Sequence, residues 1–475
     1  MKSFGNIAKD GQVRAIASGA MTDGKAVIVN ADGTVSDVGG QSDGIGSETV
    51  FSSSNTTETR IVYDPDSDKH IIAYKDAGNS NYGKAKVATV SGTGVSFGSA
   101  TTFESAETKN IAITYDTAND KVVIAYVDGA DGDKGKAIVG TVSGTSISFG
   151  TAATFEADST DGVSITYDTN ASKVLIIMQS GSIGVAYVGT VSGTDISFGD
   201  AATFTSKHPN EDSIDSVYDE TAEKHVITFS DEDDGVKGYI KVGTISGTDV
   251  TFGNAAFLQN AYTSHNSLVR DPVNNKTVAF YKDDADSDKG NCRLLVVSGT
   301  SVSTTGSETQ FGTKGEHVAA SYDVETGKIL VVHRDNPNGT LRVGTISGTS
   351  ISFETAEVFN SASTTVTHTS YDPVQKSHLI SYRDIGNSNY GTAIVKQIGS
   401  TNLTSENFIG FSDGAFATTQ SAAINTTSTI DRNQSSLTAG QTYFVQIDGT
   451  LGTTADDPSV TAGTAISATE IIVKG

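Results

Sequence analysis

The sequence predicts an all-β protein: a seven-bladed β-propeller of four-stranded antiparallel blades, plus a small β module formed by the N- and C-terminal segments. Three observations predict this class. The 475 residues include 50 Gly and many Val, Ile, Thr and Ser, which is typical of short strands joined by tight turns. The phrase ITYDTANDKVVIAYVDG at 113–129 returns in altered form along the chain. Further strand signals follow each copy.

The repeat is most regular at an aspartate that ends the first apolar run of each copy. The intervals between successive copies are 52, 52, 51, 52, 52 and 49 residues. Periods of this length are typical of propeller blades and solenoid turns. Seven repeats are marked by these aspartates: Asp64, Asp116, Asp168, Asp219, Asp271, Asp323 and Asp372.

Each repeat contains four strand signals. In the second repeat they read IAITYD, KVVIAYVD, GKAIVGTV and ISFGTAATF. Asp116 and Lys121 stand at the mouth of the first hairpin, where opposite charges face each other across the strands. The SGT turn at 143–145 places Gly where a tight hairpin needs a positive φ. One meander cannot cover its own faces, whereas a radial stack of seven can. A β-solenoid is the alternative, but its coils are usually shorter and lack four hairpin signals.

The chain termini predict how the ring closes. The segment ETVF at 48–51 resembles the last strand of a blade, so we expect it to complete the seventh blade beside residues 392–398. The segments MTDGKAVIVNADGTVSD (21–37) and LTAGQTYFVQIDGTLGT (437–453) share a turn, a strand, a DGT hairpin and a second strand. We therefore predict an N-terminal attachment segment at 1–47, the propeller at 48–411 and a C-terminal β module at 412–475.

Charge and cysteine content exclude several classes of partner. The formal net charge of -24 repels polyphosphates and anionic membrane surfaces, so no nucleic acid partner is expected. No run of about 18 apolar residues predicts membrane insertion, and the N-terminus does not resemble a signal peptide. The single cysteine, Cys292, excludes an intramolecular disulfide and fits assembly in a reducing cytoplasm.

No motif indicates catalysis. GxSxG and HExxH are absent from the sequence. His70, His225 and His378 stand just after the turn in three repeats, and strand register explains them better than a catalytic cluster does. We expect no enzyme activity and no cofactor. Two carboxylates across the central channel would suffice to hydrolyse glycosides, but among so many Asp residues the sequence selects no pair.

The loops between second and third strands are the candidate binding sites. DAGNSNYG (76–83) and DIGNSNYG (384–391) differ at one residue, and ring closure makes their blades neighbours. Tyrosines there would stack on a sugar, and the carboxylates and amides would bind its hydroxyl groups. The alternative, favoured by the absence of Trp, is that Asn, Gly and Asp serve only as turn formers. The predicted ligand-binding residues are Asp76, Asn79, Asn81, Tyr82, Asp384, Asn387, Asn389 and Tyr390.

Two acidic segments carry alternating carboxylates of the kind that calcium favours, DPDSD at 64–68 and DADSD at 284–288. Three oxygens are too few for such a site. The full calcium-loop pattern with its Gly and distal Glu is also missing. We therefore predict solvated acidic loops and no metal site.

The stretch beginning NFIGFSDGAFATT at residue 407, with GKAVIVNADGTVSDV (24–38) and VGTVSGTSISFG (139–150), resembles propeller-bearing virion proteins of marine tailed phages, including phages of cyanobacteria. The resemblance covers nearly the whole chain and is more specific at the C-terminal module than in the blades. It implies a structural protein of the virion tail or capsid surface, made in the host cytoplasm and bound to other virion proteins. It implies no catalytic residues.

From this resemblance we expect a non-enzymatic fibre or appendage whose propeller contacts the host surface and its glycans. A homo-oligomer would add avidity to weak contacts. Two alternatives stay open: a virion-associated glycan-degrading enzyme on a propeller scaffold, and a purely structural decoration protein that binds no receptor.

Overall fold

The computed structural model describes residues 11–235 and 237–474, and they are mainly β-structure. They form two compact units: Ile45–Lys396, and a second unit made of residues 11–44 and 397–474. Three short 3₁₀ turns interrupt the strands of the larger unit, at Glu211–Ser213, Glu232–Asp234 and Asp284–Asp286. Within the described ranges, no helix is long and apolar enough to cross a membrane.

The larger unit is the predicted seven-bladed propeller. Each blade is an antiparallel sheet whose first three strands pair in chain order, and whose outer strand is usually broken into two pieces that both pair with the third strand. The first strands are Thr49–Asp64, Thr108–Asp116, Thr160–Asp168, Asp215–Asp219, Thr263–Asp271, Glu316–Asp323 and Glu357–Asp372. The second strands are Lys69–Asp76, Lys121–Asp128, Lys173–Ser180, Lys224–Asp231, Lys276–Asp283, Lys328–Asp335 and Ser377–Asp384. The third strands are Tyr82–Ser91, Lys134–Ser143, Ile183–Ser192, Lys237–Ser246, Lys289–Ser298, Asn338–Ser347 and Tyr390–Gln397.

The regular SGT turns connect the third strand of a blade to its outer strand. Blades 1 to 4 have two-piece outer strands: Gly94–Phe97 with Thr101–Glu104, Ser146–Phe149 with Ala153–Glu156, Asp195–Phe198 with Ala202–Thr205, and Asp249–Phe252 with Ala256–Gln259. Blade 5 has one continuous outer strand, Ser301–Gly312. In blade 6 the pieces are Ser350–Phe353 and the first residues of Glu357–Asp372.

The hydrophobic core lies between the blades. The second strands are buried on both faces; in Lys121–Asp128, for example, every residue after the lysine is buried. Side chains of one blade pack against those of the next, as Val123 of blade 2 and Ile176 of blade 3 do in one shared cluster. Neither face of an isolated blade is covered, so each blade depends on its neighbours for burial of its apolar surface.

The recurring aspartate holds the first hairpin. In blade 2, Asp116 Oδ1 accepts the backbone N–H groups of Ala118 and Asn119 at 3.0 and 3.1 Å. In blade 3, the corresponding Asp168 also lies 3.3 Å from Nε2 of the buried His225 of blade 4. His70 and His378 make the same kind of approach to Asp372 and Asp323 at 3.7 and 3.9 Å. These histidines therefore lie at blade junctions.

The ring closes through its first strand. Thr49–Asp64 pairs at its start with the third strand of blade 7, where Val50 faces Thr392, and continues as the innermost strand of blade 1. The hydroxyl of Tyr382 donates to the Glu48 carboxylate at 2.7 Å at the same seam. Residues 48–51 thus complete the last blade, as the sequence predicts.

The smaller unit contains two five-stranded sheets that share one apolar core. The first sheet has the order Gln12–Ile16, Ser421–Asn425, Phe408–Ser412, Ala26–Val29, Val35–Asp37. The second has the order Ile430–Asp431, Ile471–Val473, Val460–Ala465, Thr442–Val445, Leu451–Gly452. Ile28 and Phe411 of the first sheet belong to the same buried cluster as Val445 and Ile471 of the second. A short pair, Gly40–Gln41 with Ser400–Thr401, completes the unit.

The two sheets are copies of one arrangement. In each DGT hairpin the Asp carboxylate accepts both the N–H and the hydroxyl of the following Thr, at 2.9 and 2.6 Å, in Asp32 with Thr34 and in Asp448 with Thr450. In the second copy the five strands are continuous in sequence, whereas in the first the propeller interrupts them. The predicted end of the propeller at residue 411 is wrong, because residues 397–411 belong to the smaller unit, where Phe408–Ser412 pairs with Ala26–Val29.

Candidate functional site: the central channel

The innermost strands of all seven blades line one cavity of about 320 Å³. Its wall repeats with the blades, because the lining residues stand four and six positions before the recurring aspartate. Glu58 pairs with Lys75, the residue before Asp76, so the cavity lies near the end of the ring that carries the second-to-third loops. This position makes the channel the leading candidate site of the propeller.

The ring four positions before each aspartate is chemically mixed. It contains one arginine, one carboxyl group and one imidazole among small side chains, and blades 2 and 6 contribute alanine. In blade order the ring is Arg60, Ala112, Ser164, Asp215, Ser267, Ala319 and His368.

The ring six positions before the aspartate has an unusual backbone. In five blades this residue adopts a left-handed conformation with φ between 49° and 57°: Asn110, Gly162, His265, His317 and Val366. The strand register shifts at all five of these positions, so each of them is a β-bulge. Such a φ suits Gly and Asn and is strained for a β-branched residue such as Val366. The innermost strands pair with the second strands on one side only, and channel side chains accept some of the N–H groups on the other side.

Asp215 connects three blades. Its Oδ2 accepts the backbone N–H of Leu268 in blade 5 at 2.7 Å, and its Oδ1 accepts the hydroxyl of Ser164 in blade 3 at 3.1 Å. Burial raises the pKa of this carboxyl to about 6, although the hydrogen bond from Leu268 acts in the opposite direction. Asp215 therefore keeps its proton up to a higher pH than an ordinary aspartate does.

Glu58 and His368 follow the same pattern. Glu58 Oε2 accepts the N–H of Ile111 in blade 2 at 3.0 Å. His368 Nδ1 accepts the N–H of Ile61 in blade 1 at 3.2 Å, so this nitrogen carries no proton. Burial and the nearby Arg60 lower the pKa of His368 to about 3. Each of these polar side chains uses an acceptor atom to hold the innermost strand of the following blade.

The remaining channel groups add an acidic side and an imidazole pair. Burial raises the pKa of Glu211, and the neighbouring Asp161 adds to this effect. The rings of His265 and His317 lie 4.9 Å apart, and burial lowers the pKa of both. The sequence offered no signal for this set, because the lining positions change identity from blade to blade.

The predicted ligand-binding residues flank one strand segment. The loops that contain them lie on either side of residues 54–56, where Ala77 N–H donates to the Asn55 carbonyl at 2.8 Å and Thr56 N–H donates to the Asn389 carbonyl at 3.0 Å. The structure therefore brings Asp76, Asn79, Asn81 and Tyr82 near Asp384, Asn387, Asn389 and Tyr390.

Several of these residues also have local roles in the turns. Asn81 and Asn389 adopt left-handed conformations, with φ of 62° and 63°. Asp76 is buried and binds Lys84 Nζ at 2.7 Å, and Asp384 accepts the N–H of Asn387 at 3.1 Å. Tyr82 and Tyr390 are half-buried. The turn-forming alternative thus accounts for these contacts without a ligand.

Lysines neutralise one acidic loop. Lys282 lies 2.7 Å from Asp284, Lys289 lies 3.0 Å from Asp286, and Lys314 lies 3.0 Å from Asp288. In the first repeat, Asp64 instead accepts the N–H of Asp66 at 3.0 Å as a turn cap. Among the residues that the structure describes, no group of three His, Cys, Asp or Glu side chains is placed to hold a metal ion.

Comparisons with known proteins support the propeller fold. No protein-family model and no curated protein matches the sequence. Among solved structures, the chain is similar to the BP39L lectin from Burkholderia pseudomallei, with a TM-score of 0.55 and 12% identity over 74% of this chain and 99% of that chain. It is also similar to the NanB sialidase from Streptococcus pneumoniae, with a TM-score of 0.45 and 10% identity over 74% of this chain and 70% of that chain. At such identities the similarity shows the fold alone.

Proposed function

We propose that this chain is a non-enzymatic structural protein of a phage virion, an appendage on the tail or capsid. In this proposal the smaller unit attaches it to other virion proteins, and the propeller contacts glycans of the host surface. The protein acts as a homo-oligomer, so that weak single contacts add up through avidity. The resemblance of the terminal segments to phage virion proteins supports the attachment role.

One observation carries the non-enzymatic part of the proposal. In the channel, Glu58, Asp215 and His368 each use an acceptor atom for a backbone N–H of the following blade. A general base or nucleophile needs its acceptor atom directed at the substrate. Side chains engaged in this way stabilise the junctions of the ring.

The test combines activity with location. Purified protein incubated with host-surface polysaccharide is expected to release no reducing sugar above a heat-inactivated sample. An antibody against the chain is expected to label the surface of intact particles in electron micrographs. Sustained sugar release, or particles without label, would contradict the proposal.

A glycan-degrading enzyme is the second candidate, and the channel carboxyls favour it. Asp215 has a pKa raised to about 6, and the pKa of Glu211 in the same cavity is raised as well. Carboxyls of this kind serve as general acids in glycoside hydrolysis. Sugar release that is abolished by Asp215→Asn, in a variant that still folds, would establish this candidate.

Binding to host cells distinguishes the third possibility, a purely structural decoration protein, from an appendage that contacts a receptor. Fluorescently tagged wild-type protein that labels susceptible host cells supports receptor contact. Tagged protein that labels particles but never cells would indicate decoration.

A further inference from the structure

Blade 4 departs from the repeat at one cross-strand pair. In its third and outer strands, Tyr239 faces Phe257. None of the other six pairs at this register contains an aromatic residue. They are Lys84 with Thr102, Lys136 with Thr154, Val185 with Thr203, Asn291 with Gln310, Thr340 with Val358, and Thr392 with Val50.

These aromatic side chains form a shelf. The Tyr239 ring stacks on Phe229 with a centroid distance of 5.6 Å and an interplanar angle of 19°, and it lies 5.0 Å from the Phe257 ring. Phe257 is 50% exposed, whereas the neighbouring Leu258 is buried. Burial in the core explains Leu258, whereas Phe257 is exposed and has Lys237 Nζ 5.6 Å from its ring centroid.

Tyr239 and Phe229 of the shelf line a cavity of about 430 Å³ between blades 3 and 4, and Phe257 lies beside Tyr239 outside this lining. This volume lies in the range of small-molecule sites, about 300–1,000 Å³. Tyr239 and Phe229 line one side, and Thr205, Ser206 and Lys207 from the outer edge of blade 3 line another. Apolar and hydroxyl-bearing groups thus meet in one cavity.

Charged groups complete the lining. In blades 1 and 2, the lysine at the Tyr239 position binds the aspartate that ends the second strand, as Lys136 binds Asp128 at 2.7 Å. Blade 4 has no lysine there, and its Asp231 is bridged at 3.1 Å by Lys207 instead. The ion pair therefore moves to the cavity edge, and an aromatic ring occupies the place that a lysine fills in blades 1 and 2. Lys241 also lines the cavity and donates to the Phe204 carbonyl.

We propose that this cavity binds a neutral saccharide residue, with the pyranose ring against Tyr239, which the neighbouring Phe257 ring supports. The C–H face of a sugar packs on an aromatic ring, and adjacent hydroxyls pair with a donor and an acceptor, which the Lys207 and Asp231 side chains supply together. The chain carries a net charge of -24, which disfavours a polyanionic glycan. This inference rests on the proposed glycan contact and locates it on blade 4.

The experiment uses full-length protein on immobilised neutral oligosaccharides that end in glucose, galactose, mannose, fucose or N-acetylglucosamine. Polygalacturonate and heparin fragments form the acidic arms. Two variants restore residues of other blades: Tyr239→Lys, as in blades 1 and 2, and Phe257→Thr, as in blades 1 to 3. Val358→Thr is the matched control, because Val358 is also 50% exposed and occupies the Phe257 register in blade 6.

Wild-type protein is expected to bind at least one neutral oligosaccharide. Both blade 4 variants should weaken that binding by at least about tenfold, as expected for loss of an aromatic anchor, and Val358→Thr should leave it unchanged. Unfolding temperatures confirm that the variants are folded; Phe257→Thr changes an exposed side chain, so it tests the site even where Tyr239→Lys is unstable.

The other outcomes separate this inference from the proposed function. Equal binding by wild type and both blade 4 variants, equal loss in Val358→Thr, or binding of the acidic fragments alone would overturn the site. Host cells labelled by a wild-type protein that binds no neutral glycan would overturn the saccharide but keep the appendage function. A protein that binds neither glycans nor cells would overturn both.

Discussion

The Asp215 carboxylate accepts the backbone N–H of Leu268 at 2.7 Å, which joins the innermost strands of blades 4 and 5 inside the channel. The same side chain accepts the Ser164 hydroxyl from blade 3. A single half-buried acid therefore holds three blades together, and its protonation is coupled to the stability of the ring.

Asp215 should make stability fall as pH rises. Burial raises its pKa from 3.8 to about 6, so the folded protein binds the proton more tightly than the unfolded chain does. The resulting destabilisation is absent at about pH 4, grows as the pH rises between the two pKa values and is complete above about pH 6. Asp215→Asn removes this titration and keeps an acceptor for Leu268. Its free energy of unfolding relative to wild type should rise by up to about 3 kcal/mol between pH 4 and 7. Urea unfolding at four pH values measures it, and a difference independent of pH would refute the role of Asp215.

His368 should make stability fall as the pH falls, which is the opposite of the effect of Asp215. Its pKa is lowered from 6.5 to about 3, so the unfolded chain takes up a proton near pH 6.5 while the folded ring does not. Stability from this group is complete above about pH 6.5 and is lost as pH falls towards 3, by roughly 1.4 kcal/mol per pH unit. His368→Ala introduces the residue that blades 2 and 6 carry at this position.

The alanine variant loses the acceptor for Ile61 at every pH, so it should be less stable than wild type at pH 7. That deficit should shrink as the pH falls from 7 to 4, which chemical unfolding at matched pH values measures. Unfolding curves of the two proteins that stay separated by a constant free energy would rule out this titration.

Val366 should be a site of backbone strain. It is a β-branched residue with φ of 54°, at the register where blade 2 has Asn110 with φ of 49°. Asn tolerates the left-handed region far better, so Val366→Asn should stabilise the protein by about 1 kcal/mol. The reverse change, Asn110→Val, should destabilise it by at least as much, because it also removes the hydrogen bond to Asp161. Thermal unfolding of both variants checks the pair, and a destabilising Val366→Asn would contradict the strain.

The seam between the first and last blades should be as strong as an interior junction. Phe51 lies 5.3 Å from Tyr74 and 6.0 Å from Phe97 across the seam. Phe103 has matching neighbours at 5.3 and 5.8 Å between blades 1 and 2. Phe51→Ala and Phe103→Ala should each cost about 3–5 kcal/mol of unfolding free energy. A much smaller cost for Phe51→Ala in urea unfolding would show that the ring is open at the seam.

The sequence predicts the blades well because their signals are local. Asp116 caps its own turn, and the same hydrogen bonding recurs with each aspartate. The spacing of the aspartates along the chain is therefore enough to count seven blades. The channel could not be predicted in this way. Its residues come from seven distant strands and change identity at every repeat, as Arg60, Ala112 and Ser164 illustrate. Only the folded ring brings them to one cavity.

The aromatic pair of blade 4 was within reach of the sequence. Once the repeats are aligned, Tyr239 replaces a lysine and Phe257 replaces a threonine of blades 1 and 2. The signal at Tyr239 and Phe257 is a departure from the repeat, whereas the loops at 76–83 and 384–391 stand out by their likeness to each other. A residue that departs from the repeat indicates a local role, because the packing between blades does not require that residue.

The first sheet of the smaller unit pairs Val13 with Ile424, so strands that are synthesised early pair with strands that are synthesised more than 400 residues later. A ribosome completes the whole propeller before Ser421–Asn425 emerges. A polypeptide that is terminated early, or cleaved and released from its C-terminal part, lacks the partners for Gln12–Ile16 and Ala26–Val29. The order of synthesis therefore makes this sheet dependent on chain length, because only a chain that extends through Asn425 can build it.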